Sequence, residues 1–181
     1  MEKVLIVVDM QNDYLLDSGS YNLGHDTSDF RKEAADFIKN FDGRIYLTHD
    51  DHSITDCEFE NFPRHCVRYT HGHQLIDEIR EVIKGKTFIT LAKKSFTGAS
   101  ITNLANELAD NDIKEIHIIG IRTHTSVHDI VANIVNHTKN RHNYHPNIIL
   151  HNRLLDDSNM TKAKEAIDRM CLLYRARLES N

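Results

Sequence analysis

Several ionisable residues stand where short apolar runs end. Asp9 directly follows residues 4–8 (VLIVV). His49, Asp50 and His52 follow 44–48 (RIYLT), and Lys93 and Lys94 follow 87–91 (TFITL). Gly120 follows 116–119 (IHII), and a polar segment, Ile121-Arg122-Thr123-His124-Thr125-Ser126, comes next. Asp50 and His52 have D-x-H spacing, and extended residues i and i+2 point to one side of the chain. With His65, further along, they offer two imidazoles and a carboxylate. That donor set suits Zn²⁺, Fe²⁺ or Mn²⁺, with positions left for water or substrate. The plainer reading of such a pair is an Asp–His hydrogen bond in a loop. His124 and His128 share a helical face at i, i+4, the spacing of a metal-binding pair. Their plainer reading is as helix-surface histidines.

These groups need elements that bring them together. The run 4–8 is continuous and β-branched, as in a strand buried on both faces. Runs 44–48, 87–91, 116–119 and 147–150 (NIIL) are similar. Between them lie helical patterns. Phe30, Ala34, Phe37, Ile38 and Phe41 form one apolar face, with Ser28 as its expected cap. Leu75, Ile76, Ile79, Val82 and Ile83 form a second. Ile101, Leu104, Ala105 and Leu108 form a third. Val127, Ile130, Val131, Ile134 and Val135 form a fourth, and Ala163, Ala166, Ile167 and Met170 a fifth. Strands alternating with helices predict a three-layer α/β domain over 1–181, its mostly parallel sheet covered by helices on both faces. Sites in such folds lie beyond the carboxyl ends of the strands, where the groups above occur.

Composition narrows the function. The 181 residues carry a formal charge of −5, which argues against a nucleic-acid binder with its basic stripe. No apolar run approaches the roughly 20 residues of a membrane span, and Asp9 interrupts the first run too early for a signal peptide. Cys57, Cys66 and Cys171 show no paired pattern, so a reducing cytoplasm is the expected location. Of the 13 histidines, His137, His142 and His145 sit in a polar stretch and read as solvated.

Longer motifs carry a family resemblance. Val8-Asp9-Met10-Gln11-Asn12-Asp13-Tyr14 resembles the VDMQNDF start of the nicotinamidase and isochorismatase-like cysteine hydrolases. Asp50-Asp51-His52 resembles that family's DxH metal motif. Phe62-Pro63-Arg64-His65-Cys66-Val67, with Thr70 and Gly72, resembles its W/F-P-x-H-C-V…G-T-x-G segment. Gly120-Ile121-Arg122-Thr123-His124-Thr125-Ser126-Val127 resembles G-V-x-T-D-x-C-V. The likeness runs from residue 3 to about 170.

The resemblance implies roles. Asp9 would be the general base and acid, and Lys93 its charge partner. Aligning Lys93 with the Lys of K-x-x-Y-S-A-F-x-x-T-x-L sets Phe96, Thr102 and Leu104 on matching positions, which Lys94 would break. Asp50, His52 and His65 would hold the metal, zinc first, with Glu58 as an added ligand seven residues before His65. Backbone N–H groups of Arg122 and Ser126 would form the oxyanion hole, and the Ile121–Arg122 peptide would be cis. The chain departs from the pattern at two places: Ser126 stands where the family has its nucleophilic Cys, and His124 where it usually has Asp. A thiol of pKa about 8.5 ionises under modest local charge, whereas a serine hydroxyl needs a stronger base. Asp9 alone is a poor one. Cys66, beside a metal ligand, reads as a buried small apolar residue.

The expected function is that of a nicotinamidase-like, metal-dependent hydrolase of a small amide C–N bond. The alternatives are a vinyl ether hydrolase using Asp9 as acid, and a degenerate metal- or ligand-binding homologue. The expected partners are a small-molecule substrate and a second copy of the chain, with neither nucleic acid nor membrane.

Overall fold

A computed structural model describes residues 2–96, 99–139 and 144–179. His142 lies outside the described residues. Six strands form one all-parallel sheet: β1 (Lys3–Val8), β2 (Arg44–Asp50), β3 (Phe88–Lys93), β4 (Glu115–Ile121), β5 (Asn147–Asp156) and β6 (Arg177–Glu179). Their spatial order is β3-β2-β1-β4-β5-β6. The chain winds outward from β1 in both directions, so the sheet has its switch point between β1 and β4, where α/β folds place their ligands.

Side chains alternate across the sheet with period two. Val4, Ile6 and Val8 of β1 enter one core with Ile116, Ile118, Ile148 and Leu150. Helices α4 (Ala99–Asp110), α5 (His128–Thr138) and α6 (Met160–Tyr174) cover that face. Leu5 and Val7 enter the opposite core with Ile45, Leu47, Ile119 and Ile121. There α1 (Asn12–Leu15), α2 (Ser28–Asn40) and α3 (Asp77–Val82) lie over them.

Some expectations are corrected. β3 is an edge strand, and Phe88 and Ile89 are 39% and 36% exposed, so its apolar run is not buried on both faces. Ser28 is the first helical residue of α2 rather than its cap, and its N–H donates to Asp26 Oδ1 at 2.8 Å. β6 carries too short a run to be read from periodicity. β5 is longer than its NIIL core. Its register against β4 jumps from Ile118↔Leu150 to Gly120↔Leu155, and this irregularity re-aims the strand end carrying Asp156 and Asp157. His137 and His145 are exposed, as expected.

Gly120 is a steric necessity. Its φ is 122°, and a Cβ there would sit 2.2 Å from the Val8 carbonyl oxygen. A glycine thus lets the end of β4 close on the end of β1, beside Asp9.

Candidate active site

The β1 end delivers Asp9, in a left-handed conformation with φ 53°. Its Oδ1 accepts from Thr48 Oγ1 at 2.7 Å, and its Oδ2 lies 2.7 Å from Lys93 Nζ. Lys93 ends β3 as the register partner of Asp50 on β2. Its Nζ is 2.5 Å from Asp50 Oδ1. Lys94, one residue on, is exposed, because successive side chains of a strand point to opposite sides.

One ammonium therefore serves two buried carboxylates, and their surroundings differ. Burial pushes Asp50 up, but Lys93 and the Tyr14 hydroxyl outweigh it, and the carboxyl is held below its ordinary value. Burial dominates at Asp9, raising its carboxyl despite Lys93. Burial pulls Lys93 down, yet the two carboxylates raise it above its usual range. Environments that drive two acids apart assign them different tasks. The two carboxyls thus shift in opposite directions, Asp50 down and Asp9 up.

Asp50, His52 and His65 converge, with one ligating atom from each within 4.8 Å of the others. The His52 Nδ1 is 3.1 Å from Asp56 Oδ2, and the His65 Nδ1 is 2.6 Å from the Pro63 carbonyl. The Pro63 carbonyl can only accept, so Nδ1 of His65 carries the proton and its Nε2 is left as a donor atom. Burial also lowers the His65 pKa. The His52 Nε2 is buried with no hydrogen-bond partner. A buried orphan nitrogen beside a second imidazole and an anionic carboxylate fits a divalent ion of the zinc class. Asp56 is held down at about 2, first by its hydrogen bond from Ser53, and so stays ionised behind His52.

Glu58 stands outside the three-residue group. Its Oε1 is 3.9 Å from His65 Nε2, and burial raises its carboxyl.

Beside the cluster is a cavity of about 230 Å³, lined by Tyr14, Tyr21, Glu58, Phe62, His65, Phe96, Arg122, His124, Thr125 and Ser126. The Arg122 guanidinium stacks 3.8 Å from the Tyr21 ring centroid and donates to the Tyr21 carbonyl at 2.6 Å. Asp9 and Lys93 do not line this cavity; they connect to it through Asp50 and Tyr14. The wall carrying Ser126 is a single π-helical turn, Thr123–Val127, in which the Val127 N–H reaches the Arg122 carbonyl at 3.2 Å. Such turns recur at functional sites. The Ile121–Arg122 bond is trans, contrary to expectation, as are all described peptide bonds; the chain turns through φ −29° and ψ 101° at Arg122.

Three supporting residues escaped the sequence reading. Gln11 Nε2 donates to the Asp50 carbonyl, and Gln11 Oε1 accepts from the Asp50 N–H. Asp13 Oδ2 accepts from the Cys66 N–H at 2.7 Å and so ties the His65 segment to α1. Asp157, just past β5, holds the His124 ring. The spacing of Gln11 and Asp13 within their motif was a signal for them. Asp157 had none, because its partner lies 33 residues away in sequence. His128 turns instead to Asp129 and Tyr174. Cys66 is fully buried, and burial pushes its thiol far up, so it is no nucleophile.

Comparison with known proteins agrees with this architecture. The isochorismatase domain profile matches residues 3–170, so the chain belongs to the isochorismatase family. Similar solved structures include the nicotinamidase/pyrazinamidase of Bacillus subtilis, with a TM-score of 0.82 and 21% identity over 99% of this chain and 100% of that one. The pyrazinamidase of Pyrococcus horikoshii in complex with zinc has a TM-score of 0.83 and 21% identity, covering 100% of both chains. N-carbamoylsarcosine amidase of Thermoplasma acidophilum has 0.73 and 23%, covering 99% and 96%. At such identities the likeness establishes the fold. No curated protein matches the sequence. Among the described residues no helix is long and apolar enough to cross a membrane.

Proposed function

We propose that this member of the isochorismatase family hydrolyses the C–N bond of a small planar amide, with a divalent metal held by Asp50, His52 and His65. The observation that carries the reading is the buried, unpartnered His52 Nε2 in a three-ligand cluster whose His65 also lines the cavity. Zinc in the Pyrococcus pyrazinamidase supports zinc as the first candidate.

The cavity suits a flat ring. Tyr14, Tyr21, Phe62 and Phe96 supply aromatic walls, and about 230 Å³ admits little more than a single heteroaromatic ring with its carboxamide. A divalent ion held by Asp50, His52 and His65 would supply Lewis acidity and would make a water more acidic. Asp9 holds a proton behind the cavity wall, linked to it through Lys93, Asp50 and Tyr14, and Lys93 keeps it oriented. The backbone N–H groups of Arg122 and Ser126 receive the developing oxyanion. Those of His124, Thr125 and Val127 are bonded elsewhere, to Asp157 and the Arg122 carbonyl.

A vinyl ether hydrolase is the second reading. The raised carboxyl of Asp9 favours it, since that chemistry begins with protonation of carbon by an acid. The intact ligand cluster favours the amide. Metal analysis combined with a hydrolysis screen on nicotinamide, pyrazinamide and related amides tests the proposal. Bound zinc with release of ammonia is the expected result. Turnover of vinyl ethers alone would move the assignment to the second reading, and inertness towards both classes would leave a binding protein.

A further inference from the structure

The Ser126 hydroxyl lines the cavity, and as a nucleophile it needs a base. Asp9 does not line the cavity and is already engaged by Lys93 and Thr48. His65 lines it, but its two ring nitrogens face the Pro63 carbonyl and the ligand cluster. His124 is the other imidazole in the wall.

The His124 ring is held by a buried carboxylate. Asp157 is 0% exposed. Its Oδ2 accepts from the His124 Nδ1 at 2.6 Å and from the His124 backbone N–H at 2.9 Å. Its Oδ1 accepts from the Asn159 N–H at 3.0 Å. The Nδ1 proton therefore points at Asp157, and in the neutral ring the lone pair is on Nε2. This tautomer and orientation are what a carboxylate supplies to a catalytic imidazole. The side chain of His124 keeps 24% of its surface exposed. The two departures of this segment from the G-V-x-T-D-x-C-V pattern, His124 and Ser126, thus fall in one turn and line one cavity.

We propose that His124, oriented by Asp157, is the base that deprotonates Ser126, making Ser126 a covalent nucleophile. As the Ser126 Oγ–carbon bond forms, the hydroxyl proton passes to His124 Nε2. The tetrahedral intermediate breaks its C–N bond, and Nε2 returns the proton to the leaving amine. Water then attacks the acyl ester, gives its proton to Nε2, and releases the acid, Ser126 recovering the proton. Contacts between base and nucleophile often close only when substrate is bound. The inference rests on this cavity being hydrolytic, as proposed above, but needs no metal.

The test uses the full chain and an alkyl fluorophosphonate, with and without a chelator. The Ser126 Oγ–P bond forms, the P–F bond breaks, and the proton leaves through His124. Mass spectrometry should find one adduct, mapped to Ser126, absent in Ser126→Ala and indifferent to chelation. Labelling should slow at least about 100-fold in His124→Gln and at least about 10-fold in Asp157→Asn, within the usual range for a positioned base. Added imidazole should recover part of the rate in His124→Ala, which a merely structural role would not permit. No Ser126 adduct in the unsubstituted chain, an unchanged rate in His124→Gln, or no imidazole rescue would overturn the inference. The probe needs neither amide nor ion, so failure of the amidase reading would show separately, as missing ammonia or missing zinc.

Discussion

Asp50 and Lys93 face each other in register across β2 and β3, with Nζ and Oδ1 2.5 Å apart. The same Nζ lies 2.7 Å from Asp9 Oδ2. One buried ammonium therefore couples two buried carboxylates, Asp50 and Asp9. Removing either partner changes the other's electrostatics.

Lys93→Met keeps the length of the stem and deletes the charge, leaving two buried carboxylates uncompensated. Breaking a buried ion pair from one side costs about 3–5 kcal/mol. Urea unfolding at pH 7 should show a loss of that order, partly recovered in Lys93→Met with Asp9→Asn. A loss below about 1 kcal/mol would contradict the network.

Asp56 pairs with His52 Nδ1 and leaves Nε2 buried without a partner, the atom the proposed metal site would use. Loss of such an outer partner weakens metal binding about 10–100-fold. Asp56→Ala should show this in competition with a chromophoric zinc chelator, and His52→Ala should lose more. Equal affinity in all three proteins would remove the metal site.

Asp56 also fixes a pH window. Its folded pKa of about 2 lies below the ordinary 3.8. A depressed carboxyl contributes stability that is complete above its unfolded pKa and is lost as pH falls through its folded one. Asp56→Asn should therefore flatten the stability–pH curve between about pH 4 and 2. The same slope in both proteins would place the acid sensitivity elsewhere.

Ser126→Cys should raise amide turnover, since a thiol of pKa about 8.5 ionises far more readily than a hydroxyl. Ser126→Ala should lower turnover by about 100-fold or more if the covalent route operates. Initial rates of ammonia release measure both. Native turnover in Ser126→Ala would assign hydrolysis to directly attacking water.

Much of the site was legible before folding. Asp9, Asp50 and Lys93 stand at the ends of apolar runs, and a parallel sheet must place strand ends together. The choice of Lys93 over Lys94 rested on motif register, and the pleat of β3 agrees, because only one of two successive residues can face Asp9. Exposure of the third run was not legible. Its sequence resembles a central strand, and its place at the sheet edge follows from the winding order.

The sequence by itself determined the alternation of elements, the α/β class and the donor types available, because side-chain periodicity and residue chemistry are local properties. Only the tertiary structure decided how they share charges and protons. It placed Asp50 between Lys93 and Tyr14, raised Asp9 by burial, and set Glu58 Oε1 3.9 Å from His65 Nε2. It also set Asp157 behind His124 from the far end of β5. Each of these depends on distances and desolvation between segments remote in sequence, which no spacing along the chain encodes.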